Sequence, residues 1–325
     1  MESSATTNPL AIEVRALVKR FGEVTALDGL DLRVPRGSCF GLLGPNGAGK
    51  TTTVSILTTL IRPTVGIARL LGRDVVAERD AVRRDLGLVF QESTLDPELT
   101  SREHLDLYGR LYHLENRRAR VDEILALLGL EELADRPTRF YSGGMKRRLE
   151  IGRGLLHRPQ VLFLDEPTLG LDVHARRTIW EHLRSLSAGG ETTVFLTTHS
   201  MEEADALCEQ IAIIDHGRVV VSGSPSRLKS DLGGDVVRLA LERADGAVDR
   251  LNRLDGVSEV IREDPDSEST ATLRVTLVDG PRRLAALIEA ARPFGVLEVT
   301  MQRPTLDHVF LHHTGHSFDG PTDSG

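Results

Sequence analysis

Aromatic residues are scarce in this chain, at 4% of 325 positions, so Leu, Val, Ile and Ala must fill most of any core. Cysteine is nearly absent: Cys39 and Cys208 are the two present. Both stand in apolar sequence with no CxxC pairing and no His/Cys ligand spacing, which argues against a disulfide framework or a cysteine-ligated zinc site. They read as small buried side chains in a reducing, cytosolic compartment. No apolar run of about 18 residues without charge occurs, so no segment reads as spanning a bilayer. The Ser/Thr-rich start, Met1 to Pro9, lacks the charged-then-apolar layout of a signal peptide. An excess of positive charge is also missing. The formal charge is −8, and general attraction to nucleic acid phosphates is not expected.

What is present is ordinary for a folded protein. Hydrophobic residues make up 40% and charged residues 27%, and the length suits one large domain plus a smaller one. Basic residues cluster at Lys146-Arg147-Arg148 and at Asn116-Arg117-Arg118-Ala119-Arg120. The second cluster reads as a solvated helix face.

Along the chain, residues 12–17 and 30–34 suggest antiparallel strands separated by glycine turns. Cys39 to Gly44 reads as a short buried strand running into a glycine-rich turn, and Lys50 to Leu60 as a helix stopped by Arg62-Pro63. Leu86 to Phe90 is another buried strand. From Leu99 to about Arg136 the pattern turns helical, with Thr100 and Glu103 spaced as a capping box. Short apolar runs at 161–164, 193–196 and 210–214 alternate with helical stretches, which predicts a mostly parallel sheet with helices on both faces. Beyond a polar, glycine-rich linker near 230–235, strands at 236–241, 257–262, 271–277 and 296–301 with a helix at 284–291 imply a small α+β domain.

The strongest chemical signal is Gly44-Pro45-Asn46-Gly47-Ala48-Gly49-Lys50-Thr51, a full P-loop pattern between a strand and a helix. Glycines let consecutive backbone N–H groups curl toward phosphate oxygens, and the helix that follows adds its positive end. Lys50 is expected to reach the β- and γ-phosphates and Thr51 to place a hydroxyl on Mg²⁺; Thr52 joins the same nucleotide-binding set. A second element, Val161-Leu162-Phe163-Leu164-Asp165-Glu166, puts two carboxylates at the C-terminal end of a buried strand, where open α/β sheets bind ligands. Asp165 is the expected Mg²⁺ holder. Glu166 is the expected group that orients or deprotonates the attacking water.

With these in place, Tyr141-Ser142-Gly143-Gly144-Met145-Lys146-Arg147-Arg148 resembles the signature motif of ABC ATPases. Tyr141 stands where that family usually has Leu, and the phosphate-binding Ser142-Gly143-Gly144 is intact. The resemblance implies a P-loop ABC-type α/β domain with antiparallel N-terminal strands and a helical subdomain. It also implies two nucleotides sandwiched head to tail, each between one P-loop and the opposite signature. Phe21 matches the aromatic that stacks on adenine. Gln91 resembles the glutamine that touches Mg²⁺ and the water and couples to a membrane subunit. Asp172, in Leu169-Gly170-Leu171-Asp172, matches the loop that crosses to the opposite site, and His199 the histidine that contacts the γ-phosphate.

A finer resemblance is to ATPase subunits of the daunorubicin/doxorubicin-resistance type. It rests on the signature with its Tyr141, on Thr100 to Leu105, on Gly109 to Leu114 and on Arg303 to Leu311 near the C-terminus. The implied organisation is a flexible tail at 1–11, an ATPase domain at 12–230 with its helical subdomain at about 92–158, an accessory domain at 236–312 and a disordered tail at 313–325. The implied activity is ATP hydrolysis with ATP and Mg²⁺, by a homodimer at the cytoplasmic face of the cell membrane that drives a separate membrane permease for export. Two other readings compete. One is a soluble ABC ATPase of translation or DNA metabolism, disfavoured by a single P-loop, a single signature and the acidic charge. The other is an importer ATPase, disfavoured by the C-terminal resemblance. His308, His312, His313 and His316 lack acidic or cysteine partners in sequence and read as a polar tail, not a metal site.

Overall fold

The computed structural model describes residues 9–243, 245–263 and 271–316. It divides into two compact units between Ser224 and Pro225. The first opens with two long antiparallel strands, β1 (Leu10–Phe21) and β2 (Val24–Pro35). The five residues of β3 (Cys39–Leu43) are all buried, and they lead through the glycine-rich turn into α1 (Lys50–Leu57). β4 (Val65–Leu70) and β5 (Arg73–Asp74) complete a four-stranded sheet of order β2-β1-β4-β5. After α2 (Arg79–Arg84) and β6 (Leu86–Val89) come three helices, α3 (Ser101–Leu111), α4 (Arg117–Leu128) and α5 (Gly143–Leu155). The rest alternates: β7 (Val161–Asp165), α6 (Val173–Ala188), β8 (Thr193–Thr198), α7 (Met201–Leu207), β9 (Gln210–Asp215) and β10 (Arg218–Gly223).

The second sheet has the order β10-β9-β3-β8-β7-β6. Its β9-β3-β8-β7-β6 pairings are parallel, and only β10 joins antiparallel. Strands of a parallel sheet covered on both faces must be apolar on both sides. That is why β7 reads as an unbroken run, with Val161, Leu162, Phe163 and Leu164 all fully buried. The two sheets share one core, in which Ile12, Leu17 and Leu30 of the first meet Phe40, Phe163 and Phe195 of the second. Parallel strands also end together at one edge, and the carboxyl ends of β3, β7 and β8 bring the P-loop, Asp165 and Thr198 to the same place.

The second unit holds α8 (Pro225–Ser230), β11 (Asp235–Leu241), α9 (Ala247–Leu251), β12 (Val257–Arg262), β13 (Ala271–Leu277), α10 (Gly280–Ala291), β14 (Val296–Gln302) and α11 (Leu306–Thr314). Its sheet is antiparallel throughout, in the order β12-β13-β11-β14. A β-α-β-β-α-β chain in that order is the ferredoxin-like arrangement. Val237, Leu239, Leu273 and Val275 alternate onto one face and pack with Leu251, Leu287 and Ala291, as a half-covered sheet requires.

Several boundaries differ from the sequence expectation: the helix expected over Lys50 to Leu60 ends at Leu57, the one expected over 284–291 starts at Gly280, and the strand expected over 30–34 spans Val24–Pro35. β1 begins at Leu10, inside the stretch read as a tail at 1–11, because Ala11 and Ile12 are core residues. α8 belongs with the second unit, so the division precedes residue 230. α11 runs past His313 to Thr314, while residues 1–8 and 317–325 of the expected tails lie outside the described residues. The cluster Asn116–Arg120 is not uniformly solvated. Arg120 is 15% exposed, pairs with Glu123 and donates to the carbonyls of Leu155 and Leu156 at 2.7 and 2.9 Å. No helix among the described residues is long and apolar enough to cross a membrane.

The expected capping box forms at α3. Thr100 accepts from the Glu103 amide at 3.2 Å, and Glu103 accepts from the Thr100 amide at 2.8 Å. Thr100→Ala should therefore lower unfolding free energy by about 1 kcal/mol in urea denaturation, and an unchanged midpoint would show that the cap adds nothing.

Candidate functional site

The turn between β3 and α1 owes its shape to glycine. Gly49 sits at φ +109°, and a Cβ there would fall 2.8 Å from the Ala26 carbonyl oxygen and 2.7 Å from Leu27. Only a residue without a side chain fits both the backbone angle and the space. The turn borders a cavity of about 310 Å³ lined by Asn46, Gly47, Lys50, Thr51, Gln91, Glu166 and His199. Thr52, Pro45 and Leu169 add to its wall. Lys50 is buried at 6% exposure. Its Nζ donates to the carbonyls of Gly44 and Pro45 at 2.7 and 3.1 Å and lies 3.5 Å from Glu166 Oε1. Gly44 and Ala48 form the base of the turn, their amides bonded to Thr198 and Pro45.

Across the cavity, the end of β7 supplies both carboxylates. Asp165 accepts from Thr51 Oγ1 at 3.2 Å and from the Thr197 hydroxyl at the end of β8. Glu166, the next residue, is 7% exposed and has φ +48°, in the left-handed region that a side chain seldom adopts. Its amide donates to the Thr197 carbonyl at 3.1 Å, which fixes the turn. Its carboxylate is held between two basic groups: Lys50 on Oε1, and His199 on Oε2 with Nδ1 at 2.7 Å. A carboxylate can only accept, so His199 Nδ1 carries the proton and donates. Thr51, Asp165 and Gln91 present oxygen donors alone, the set that suits Mg²⁺.

Other expected residues lie elsewhere. Ser142, Gly144 and Asp172 line a different cavity, of about 290 Å³, between the starts of α5 and α6. Ser142 Oγ accepts from the Met145 amide at 3.3 Å and Asp172 Oδ1 from the Ala175 amide at 2.9 Å, so each caps its helix. Gly144 allows the two helix starts to approach, since a Cβ there would meet Ala175 Cβ at 2.7 Å. Gly143 faces Leu171 in the same seam. The unusual Tyr141 is buried, and its hydroxyl donates to the Leu133 carbonyl at 2.6 Å and pairs with Ser101. Phe21 is 50% exposed at the end of β1 and is not part of either cavity wall; Lys19 Nζ lies 4.7 Å over its ring.

Sequence reading missed the polar face of α5. Arg147, Glu150 and Arg153 are each buried, at three-residue spacing that places them on one side of the helix. Arg147 uses all five of its N–H donors: Nε on Pro167 O, Nη1 on Phe90 O and Glu150, Nη2 on the carbonyls of Asp165 and Glu166. Burial lowers its pKa while Glu150 opposes the shift. Glu150 also accepts the Thr94 amide at 3.1 Å, and Arg153 holds the Thr94 hydroxyl. One helix face thus grips the backbone on both sides of Gln91 and the backbone of both site carboxylates. Glu203 of α7 is a second such group. It is 1% exposed and accepts from Thr168 Oγ1 at 2.7 Å and Trp180 Nε1 at 3.2 Å. Burial pushes its pKa up, against hydrogen bonds from Thr198, Thr168 and Trp180. The available signal was charge on the inward face of a helix, hidden within a basic run.

Removing one partner of a buried ion pair strands the other. Arg147→Ala should cost about 3–5 kcal/mol of stability, whereas Arg147→Met with Glu150→Met should lose clearly less than the two single losses added. Additive losses in a double-mutant cycle by denaturant unfolding would show that the pair is not coupled.

Comparison with known proteins agrees with this geometry. Residues 27–169 match the ABC transporter family. The chain is 46% identical over 311 residues to a daunorubicin resistance ATP-binding protein of Streptomyces coeruleorubidus, covering 94% of this chain and 96% of that one. It is 44% identical over 313 residues to a daunorubicin/doxorubicin resistance ATP-binding protein of Streptomyces peucetius, covering 95% and 94%. A Nod factor export ATP-binding protein of Ralstonia nicotianae is 46% identical over 231 residues, 70% of this chain and 72% of that one. Among solved structures, an ABC transporter ATP-binding subunit superposes with TM-score 0.62 at 28% identity, covering 69% of this chain and 93% of the other. A dimeric ATP-binding cassette in a post-hydrolysis state with ADP and Pi gives TM-score 0.59 at 29% identity, covering 66% and 98%. The P-loop, the paired carboxylates and the separate signature cavity therefore belong to a member of the ABC transporter ATP-binding family, an ATPase of the daunorubicin/doxorubicin-resistance group.

Proposed function

We propose that this ATPase is the motor subunit of an exporter, acting as a pair of identical chains on the cytoplasmic face of the cell membrane beneath a separate integral membrane permease. The observation that carries the mechanism is that one chain's P-loop cavity and its Ser142–Asp172 cavity are lined by different residues. A γ-phosphate held at Lys50 of one copy is then gripped by Ser142, Gly143 and Gly144 of the other, with Asp172 at the crossing. Each nucleotide joins the two copies through charge that neither copy balances alone.

Within each site Glu166 accepts a proton from the attacking water, and His199, bonded to it through Nδ1, holds the carboxylate in place. Lys50 and the backbone amides of Asn46, Gly47 and Gly49 stabilise phosphate charge. Thr51, Asp165 and Gln91 would hold Mg²⁺, which supplies neutralisation of the charge on the β- and γ-phosphates. Phe21 stacks on adenine. Cleavage removes the bridging charge and lets the pair separate, and the motion passes to the permease near Gln91 and α3. Export of a drug-like or lipid-like cargo is supported by the full-length similarity to resistance proteins, which extends through the second unit, and by the Nod factor export relative.

Glu166→Gln should lower kcat for ATP by at least about 10²-fold while ATP binding persists and an ATP-bound dimer accumulates in gel filtration. Turnover at the unmodified rate would remove Glu166 from the chemistry. Phe21→Ala should weaken ATP binding roughly tenfold by loss of one stacking contact, read by fluorescence titration; an unchanged Kd would place adenine elsewhere. Affinity capture with Glu166→Gln from host membranes should recover a polytopic membrane protein in equal amount. Ribosomal or DNA-bound partners alone would overturn the exporter assignment and leave the ATPase intact.

A further inference from the structure

The second unit carries an arrangement that its fold does not need. Arg238 of β11 and Arg274 of β13 are direct cross-strand partners. Like charges placed opposite each other weaken an antiparallel pair. They stand on the sheet face away from the apolar core formed by Val237, Leu239, Leu273 and Val275, so they add nothing to it. Glu263 is shared between them, 3.3 Å from Arg238 Nε and 4.0 Å from Arg274 Nε. Arg238 Nη2 also lies 3.5 Å from Glu263; among the described residues, two guanidinium groups meet a single carboxylate here, an excess of one positive charge.

Both arginines line a cavity of about 430 Å³ that lies wholly within the unit. α11 closes its other side with His308 and His312, one helical turn apart. The Thr305 amide donates to His308 Nδ1 at 3.2 Å. That nitrogen therefore acts as acceptor, and the ring proton sits on Nε2, which is left as a donor. Val236 and Leu311 give the same cavity an apolar wall, and Leu311 keeps 48% of its surface exposed. A cationic end beside an apolar wall, in a volume at the lower end of small-molecule sites, specifies a ligand with one anionic head and a short apolar body. Paired guanidinium forks match the oxygens of a phosphate monoester. Departures from local stability rules concentrate at functional positions.

We propose that this cavity is a binding site for a phosphate-headed amphiphile, held by Arg238 and Arg274 at its head and by Val236 and Leu311 along its chain. The site is separate from the nucleotide cavity and does not depend on the role assigned to that cavity.

The test is calorimetric titration of octyl phosphate, below its micellar concentration, into the full chain saturated with Mg·ADP so that the P-loop is filled. Binding should be one to one and at least tenfold weaker when both arginines are changed, Arg238→Gln with Arg274→Gln. Inorganic phosphate should bind at least tenfold more weakly than octyl phosphate, which separates a lipid-like ligand from free phosphate. The double variant should melt at or above the temperature of the unmodified chain, because the opposed charges are gone. Absence of binding, equal binding by the double variant, or equal binding of inorganic phosphate would each overturn the proposal. A lower melting temperature in the variant would do so as well, by showing that the arginines serve the fold.

Discussion

The catalytic edge of the first unit depends on one buried guanidinium. Arg147 reaches from α5 to carbonyls on three segments: the end of β6 at Phe90, the end of β7 at Asp165 and Glu166, and the following turn at Pro167. Backbone carbonyls at strand ends have no ladder partner and would be costly to bury unbonded. A planar group with five donors satisfies them together. The same ion pair with Glu150 ties this junction to Thr94, beyond Gln91. Movement of α5 relative to the sheet must therefore pull on the segment around Gln91 and on the carboxylate pair at once.

That constraint gives physical content to coupling inside an ABC ATPase. Ser142 caps the start of the helix that carries Arg147, so the Ser142-Gly143-Gly144 segment and the clamp on the backbone of Glu166 are parts of one helix. Glu203 adds a second tie, joining Thr168 after the carboxylates to Trp180 on α6, the helix capped by Asp172. Glu166 is held in a left-handed backbone conformation by these surroundings, and the cost of that strain is offset by the hydrogen bonds that define the turn.

The second unit follows other rules. Its antiparallel sheet carries the apolar core on one face, and the alternation of Val237, Leu239 and Leu241 with Arg238 and Ala240 is the direct record of that. The polar face is where its chemistry is free to vary, and there the paired arginines and the histidines of α11 come together.

Sequence alone determined the nucleotide chemistry, because a P-loop and a strand ending in paired carboxylates are local patterns whose spacing has few other uses. It also determined the sheet type, since unbroken runs such as Val161 to Leu164 fit strands buried on both faces, and the cap at Thr100, whose partners are three residues apart. Tertiary structure decided the rest. The bond between Glu166 and His199, the positive φ at Glu166 and the reach of Arg147 join residues from 18 to 57 positions apart, and no local periodicity encodes such distances. Lys146-Arg147-Arg148 is a basic run in sequence, but only packing shows that Arg147 points inward while its neighbours are less enclosed. The direct pairing of Arg238 with Arg274 was invisible for the same reason: strand register is set by which faces must be buried across the whole sheet.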